Sequence, residues 1–287
     1  MATRKKFESR YSNPFFGWMV DQSKRAGTVE IWEGFELQDL LDTHNVYRLW
    51  RKANGYRWDV QRFDICHVSP VAGKDTIGTC HASNLVVADS ALNKRHGSKY
   101  YKGGRSIPRN SVSAAMAATE VMTRGEVLKK IVAIIGKDVM DSFIRKTKLQ
   151  ASAKQSLLNE IEAYKHEYSA DELYDMTATQ LRILRDKLKG RISDTYNVCH
   201  SPMEPFHVYC IELRRHNKLI ASLYYDVWSW MWDAHGECTI DYRNIEKLNE
   251  YAFSILHGNV PSLKLITALI DLDGLNAYRD RQEKEVA

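Results

Sequence analysis

The sequence predicts an α+β protein in two parts. A strand–loop–strand–helix unit is set inside a largely helical N-terminal region, residues 1–150, and a second helical region with room for a small sheet covers 151–287. Three observations carry this prediction. Residues 62–89 hold two apolar-rich runs, RFDICHVSP and CHASNLVVAD, separated by a Gly/Lys/Asp-rich connection at 71–78, which is the pattern of an antiparallel pair. Ser90–His96 follows at once, with Asp89-Ser90 able to cap a helix and Gly97 able to end it. Elsewhere the apolar residues recur at helical spacing, as in Val127, Leu128, Ile131, Val132, Ile135, Val139 and Phe143.

Taken in order, the first 27 residues mix Arg4, Lys5, Lys6, Arg10, Lys24 and Arg25 with the aromatics Tyr11, Phe15, Phe16 and Trp18. Residues 35–54 read as one or two helices, with Leu37, Leu40, Leu41, Val46, Leu49 and Trp50 as the inward stripe and Asn54-Gly55 as the stop. Tyr56, Trp58 and Val60 alternate with polar residues, the pattern of a strand leading into the 62–97 unit. After that unit, residues 93–110 carry Lys94, Arg95, Lys99, Lys102, Arg105 and Arg109 with no acidic residue. Tyr100 and Tyr101 lie among them, and Gly103-Gly104 makes the segment a pliable loop. Such a loop can hold phosphates without reading base sequence. Helices follow over 111–150, with a softer boundary at 150–155.

In the second part, residues 156–190 read as helices of mixed charge. Within them 176–188 faintly resembles a SAP-type DNA-binding helix pair, with Leu181, Leu184 and Leu188 inward. Residues 206–214 and 219–232 alternate enough to predict two strands about an Arg-His-Asn-Lys turn, with Trp228, Trp230 and Trp232 on one face. Helices at 244–256 and 261–278 close the chain.

Composition narrows the class. A chain of 287 residues with 44% hydrophobic and 27% charged residues is that of a globular protein able to bury a sizeable core. The sequence shows no apolar run of membrane-spanning length, no signal-peptide pattern, Walker loop, dinucleotide fingerprint, nucleophile elbow or repeat. The five cysteines, odd in number and without framework spacing, point to reduced thiols and a cytoplasmic setting.

The 62–97 stretch resembles the His-Me finger, or ββα-metal, endonucleases, which include the HNH and DRGH-type enzymes. Asp64-Ile65-Cys66-His67 with Ser69-Pro70 is similar to a DRGH-type strand end. Ser83-Asn84-Leu85 is similar to the family's central Asn-Leu, and Ser90-Ala91-Leu92-Asn93 to the start of its metal-binding helix, nine positions after Asn84. The resemblance implies a metal-dependent endonuclease acting on nucleic acid, DNA rather than RNA, with a phage or mobile element as its setting. It makes His67 the general base, standing opposite Asn93, and Asn84 a brace for the loop. Asn93 then holds a hydrated Mg²⁺ or Mn²⁺, with His96 on the same side of the helix and Asp64 nearby as further candidate ligands.

Cys66 departs from the pattern. It precedes the base where many HNH enzymes place an Asp ligand, and a thiolate suits Mg²⁺ poorly. Period-two alternation also puts Asp64 with Cys66 on the strand face away from His67. Two further readings follow. One is a catalytically inactive ββα protein that binds nucleic acid or a protein partner. The other is Zn²⁺ held by Cys66-His67 and Cys80-His81, although their spacing of twelve is not a usual zinc pattern.

Overall fold

The computed structural model describes residues 11–56, 61–101, 103–149, 151–190, 203–233, 240, 242–259, 261–270, 275–276 and 279–280. The expected strand around Trp58 and Val60, and the side chain of Lys102, lie outside the described residues.

Helix α1 (Pro14–Ala26) starts where Asn13 accepts a hydrogen bond from the Phe15 amide and Pro14 pre-sets the first turn. It ends at Gly27 in the left-handed region, φ 78°. Helix α2 (Leu37–Ala53) opens with a capping box between Glu36 and Asp39. Phe15, Phe16, Met19 and Leu40 from these helices meet Ile31 and Trp32 and the inward stripe of α4 (Arg124–Ile135) and α5 (Lys137–Thr147), forming an N-terminal core.

Between α2 and α4 lies the small β framework. Strand β1 (Phe63–His67) pairs antiparallel with β3 (Leu85–Asp89), Phe63 opposite Asp89 and His67 opposite Leu85. Strand β2 (Thr76–Gly78) belongs to the connection and pairs with β4 (Ser106–Pro108). Helix α3 (Ser90–His96) leaves β3 directly. Its cap is Asp89, whose carboxylate accepts from the amides of Ala91 and Leu92. The expected strand–loop–strand–helix order is thus observed, but with shorter strands: β1 ends at His67 rather than 70, β3 begins at Leu85 rather than 80, and the connection contains β2 and a 3-10 turn at Ala82–Asn84.

The remaining helices are α6 (Ala153–Ile161), α7 (Ala170–Asp175), α8 (Ala178–Leu188), α9 (Pro205–His216), α10 (Lys218–Asp233), α11 (Tyr242–Leu256) and α12 (Leu263–Thr267). The strands expected at 206–214 and 219–232 are therefore helices α9 and α10, and no strand occurs among the described residues of 151–287. The reason is the period of burial. Ile220, Ala221, Tyr224, Val227 and Trp230 are buried at intervals of three and four, and Phe206, Tyr209, Cys210 and Leu213 repeat that spacing in α9. The tryptophan alternation is incidental to this stripe.

The β1–β3 pair is covered on both faces. Phe63, Leu85 and Val87 meet Val46 and Ala53 of α2, while Cys66, Val86 and Ala88 meet α9, α10 and α11. The 205–275 helices therefore share a core with the strand pair across the boundary expected near 150. Helices α6–α8 keep a small core of their own around Leu157, Ile161, Leu181 and Leu184.

Candidate functional site

Strand alternation decides which side chains of β1 meet α3. The tight Asp89-Ser90 turn folds α3 onto the face carrying Asp64 and Cys66, where Leu92 packs against the same core as Cys66. Asp64 Oδ2 accepts from Ser90 Oγ at 2.8 Å and from Asn93 Nδ2 at 3.2 Å, and its Oδ1 accepts from Gln61 Nε2 at 2.9 Å. Asp64 and Asn93 thus place hard oxygen-bearing side chains next to each other on β1 and α3, the donor chemistry of a hydrated Mg²⁺ or Mn²⁺, with the Asn93 nitrogen rather than its oxygen turned to Asp64.

His67 lies elsewhere. It shares the other strand face with Phe63 and Ile65, and its Nε2 is 3.8 Å from Cys80 Sγ. The expected His67–Asn93 opposition is replaced by Asp64–Asn93, because a residue three places on along a strand points the other way. Desolvation, with the Arg25 charge beside it, pushes the His67 pKa down to about 3. The imidazole is neutral at pH 7, as a base must be, but it is a far weaker proton acceptor than one whose pKa lies near working pH.

Asn84 occupies the bracing position. It is fully buried, and its Oδ1 accepts from the amides of Ser69 at 2.8 Å and Arg105 at 3.2 Å. Its Nδ2 donates to the carbonyls of Thr79 at 2.8 Å and Ser69 at 3.2 Å. One amide thereby ties the β1 exit, the β2 exit and the β4 entry together. The fit is close: a Cβ on Gly78 would lie 1.8 Å from the Ser69 carbonyl oxygen, and one on Gly104 would lie 2.0 Å from Asn84 Oδ1.

His96 turns from Asn93 toward the C-terminal helices, its ring 4.7 Å from that of His257 and 5.3 Å from that of Phe253. His81 joins Asp39 of α2 through Nε2 at 2.7 Å and Ser83 Oγ through Nδ1 at 2.9 Å. Burial opposes the Asp39 carboxylate, but the Glu36 amide and His81 hold its pKa below the ordinary value. Of the two Cys-His pairs only Cys80 and His67 meet, because Cys66 lies on the other strand face and His81 is bound to Asp39. Among the described residues no three His, Cys, Asp or Glu side chains are grouped to hold a metal ion.

The 93–110 loop is less pliable than its glycines suggest. Arg105 is anchored through its backbone to Thr79 and Asn84, and Arg109 donates from Nε and Nη2 to the Gly73 carbonyl at 3.0 and 2.9 Å. Arg95 pairs with Glu250 at 2.9 Å. Lys94 and Lys99 are exposed and make no ion pair among the described residues. With Arg105, whose anchor is its backbone alone and whose side chain is exposed, they are loop cations open to a ligand.

One polar cluster was not foreseen. On α9, Arg215 donates to the carbonyls of Ala82 and Leu85 and to Glu212, and His216 Nε2 reaches the Leu85 carbonyl at 3.1 Å. This clamp holds the start of β3. Its sequence signal, Glu212 and Arg215 three apart, is that of an ordinary helix surface pair.

No family model, curated protein or solved structure matches this chain.

Proposed function

We propose that this chain is a metal-dependent endonuclease hydrolysing phosphodiester bonds in DNA. The observation that supports it most is the β1–loop–β3–α3 unit itself, clasped by Asn84, with Asp64 against Asn93 and the exposed cations Lys94 and Lys99 on and just after the same helix. In this reading Asn93 and Asp64 hold the hydrated cation. The ion supplies charge stabilisation on the phosphate and the leaving oxygen. Lys94 and Lys99 hold backbone phosphates. His67, the base that the resemblance implies, sits on the opposite face of β1 from that cation, and the His67→Ala variant tests whether it takes any part.

The low pKa of His67 and its place beside Cys80 favour a second reading, a nucleic-acid-binding protein with the same scaffold and no turnover. A plasmid-nicking assay with Mg²⁺, Mn²⁺ or EDTA separates the two, run on wild type, His67→Ala and Asn93→Ala beside a gel-shift with the same DNA. The endonuclease reading expects cation-dependent nicking, lost in both variants while their melting temperatures stay near wild type. Nicking at wild-type rate in His67→Ala would remove that base. A DNA shift with no nicking under any cation would establish the second reading.

A further inference from the structure

Away from β1 and α3, a cavity of about 910 Å³ opens between α1, the first turn of α4 and α6. Its size is that of a small-molecule site. Its floor is aromatic, with Trp18 and Tyr47 ring centroids 5.8 Å apart and Tyr47 and Trp50 5.5 Å apart. Both indoles are only partly buried, so they present ring surface to the cavity.

The rim is charged. Glu126 is engaged by its own capping box with the Thr123 amide and hydroxyl. Lys154 donates to the Tyr174 carbonyl and lies over that ring. Arg124 and Lys129 are then the cations that face the opening. Arg124 reaches the carbonyls of Tyr11 and Asn13 only at 3.4 Å, the long end of hydrogen bonding, and lies against Gly17, where a Cβ would come within 3.0 Å of the guanidinium. The first-turn amides of α4 add positive potential at the same edge. Asp21, one turn along α1 from Gly17 and within electrostatic reach of Arg124, supplies an acceptor.

An aromatic floor, a two-cation edge and a carboxylate acceptor beside it suit a planar ring that carries an amino group and an anion. We propose that this cleft binds a nucleotide, its amino-bearing base stacked on Trp18 and Trp50 and its phosphate held by Arg124 and Lys129, either free or as one unit of a single strand. Stacking of this kind tolerates any base, and the Asp21 acceptor favours adenine or cytosine over uracil. The proposal is independent of the endonuclease reading. The cleft touches the strand pair through Trp50, whose Nε1 donates to the Phe63 carbonyl at 2.7 Å, and through Trp18, which packs against the same core as Phe63.

The test is calorimetric titration of the full chain with AMP, UMP, an oligo(dA) single strand and a duplex of equal length. Wild type is compared with Arg124→Gln, with Lys129→Glu, an exposed position outside the core, and with Gly17→Ala. Saturable AMP binding, weaker for UMP and reduced about tenfold or more by Lys129→Glu, is the expected result; a tenfold change corresponds to about 1.4 kcal/mol. Oligo(dA) binding that is competed by AMP and reduced by the same variants assigns the site to single strands. AMP binding without oligo(dA) binding assigns it to a free nucleotide. Absence of saturable binding by AMP and oligo(dA), or binding that neither Arg124→Gln nor Lys129→Glu changes, overturns the proposal.

Discussion

Two side chains on the strand pair, Asn84 and His67, carry opposite energetic signs. Asn84 makes four hydrogen bonds to buried backbone groups, each contributing about 1 kcal/mol. Asn84→Ala is therefore expected to lower unfolding free energy by about 4 kcal/mol in urea titrations; a loss below about 1 kcal/mol would show that the clasp does not hold the loop. Gly78→Ala, forcing a Cβ onto the Ser69 carbonyl, is expected to be at least as damaging. His67 is partly buried and His257 fully buried, and their pKa values are lowered to about 3 and about 4, first by desolvation. Their folded forms bind a proton less readily than the unfolded chain does, at about 6.5. Stability is therefore full above pH 6.5 and falls as pH drops toward 4, by about 2 kcal/mol for each histidine at pH 5. Buried Glu212, whose pKa is raised by desolvation, works in the opposite sense. Comparing unfolding free energy at pH 7 and pH 5 in wild type and His67→Gln isolates the histidine. The variant should show the shallower fall, and equal falls would refute a desolvated, neutral His67.

At the scale of elements, α9 acts as both packing surface and clamp. Glu212 is fully buried, and Arg215 both pairs with it and reaches two carbonyls at the start of β3. Arg215→Ala leaves that carboxylate buried without its cation, an expected cost of about 3 kcal/mol or more. Adding Glu212→Gln to Arg215→Ala should recover part of the loss, because it removes the uncompensated charge. Chemical denaturation of the single and double variants measures this, and no recovery would mean the carbonyl bonds, not the ion pair, carry the energy. The elements differed in how legible they were. The β1–β3–α3 order followed from local signals: alternation, a Gly-rich connection, and a cap at Asp89. Helices α9 and α10 did not, because Trp228, Trp230 and Trp232 fit a two-residue period while the apolar residues around them fit 3.6. Only the neighbours of α10 selected the helix.

For the whole molecule, the strand pair is a shared wall. Its Phe63–Val87 face belongs to the N-terminal half and its Cys66–Val86 face to helices 205–275. A chain ending at residue 150 exposes the second face and is expected to be insoluble or to lack a cooperative melting transition. Replacing 153–190 by a flexible linker removes only the helices with their own small core and should leave a cooperative transition. Calorimetry of the two truncations decides this. A cooperative 1–150 fragment would restore the boundary read from the sequence.

By itself the sequence determined the α+β class, the order of the strand–loop–strand–helix unit, the extent of its helix and the bracing position of Asn84, since each depends on residues close together in the chain. Tertiary structure decided what faces what. It set Asp64 rather than His67 against Asn93, because one turn at Asp89-Ser90 chooses the face of the strand that a helix covers. It pinned the basic loop by β2–β4 pairing and turned His96 toward His257. It also laid α9 on β3, a contact between residues more than a hundred positions apart that no local pattern encodes.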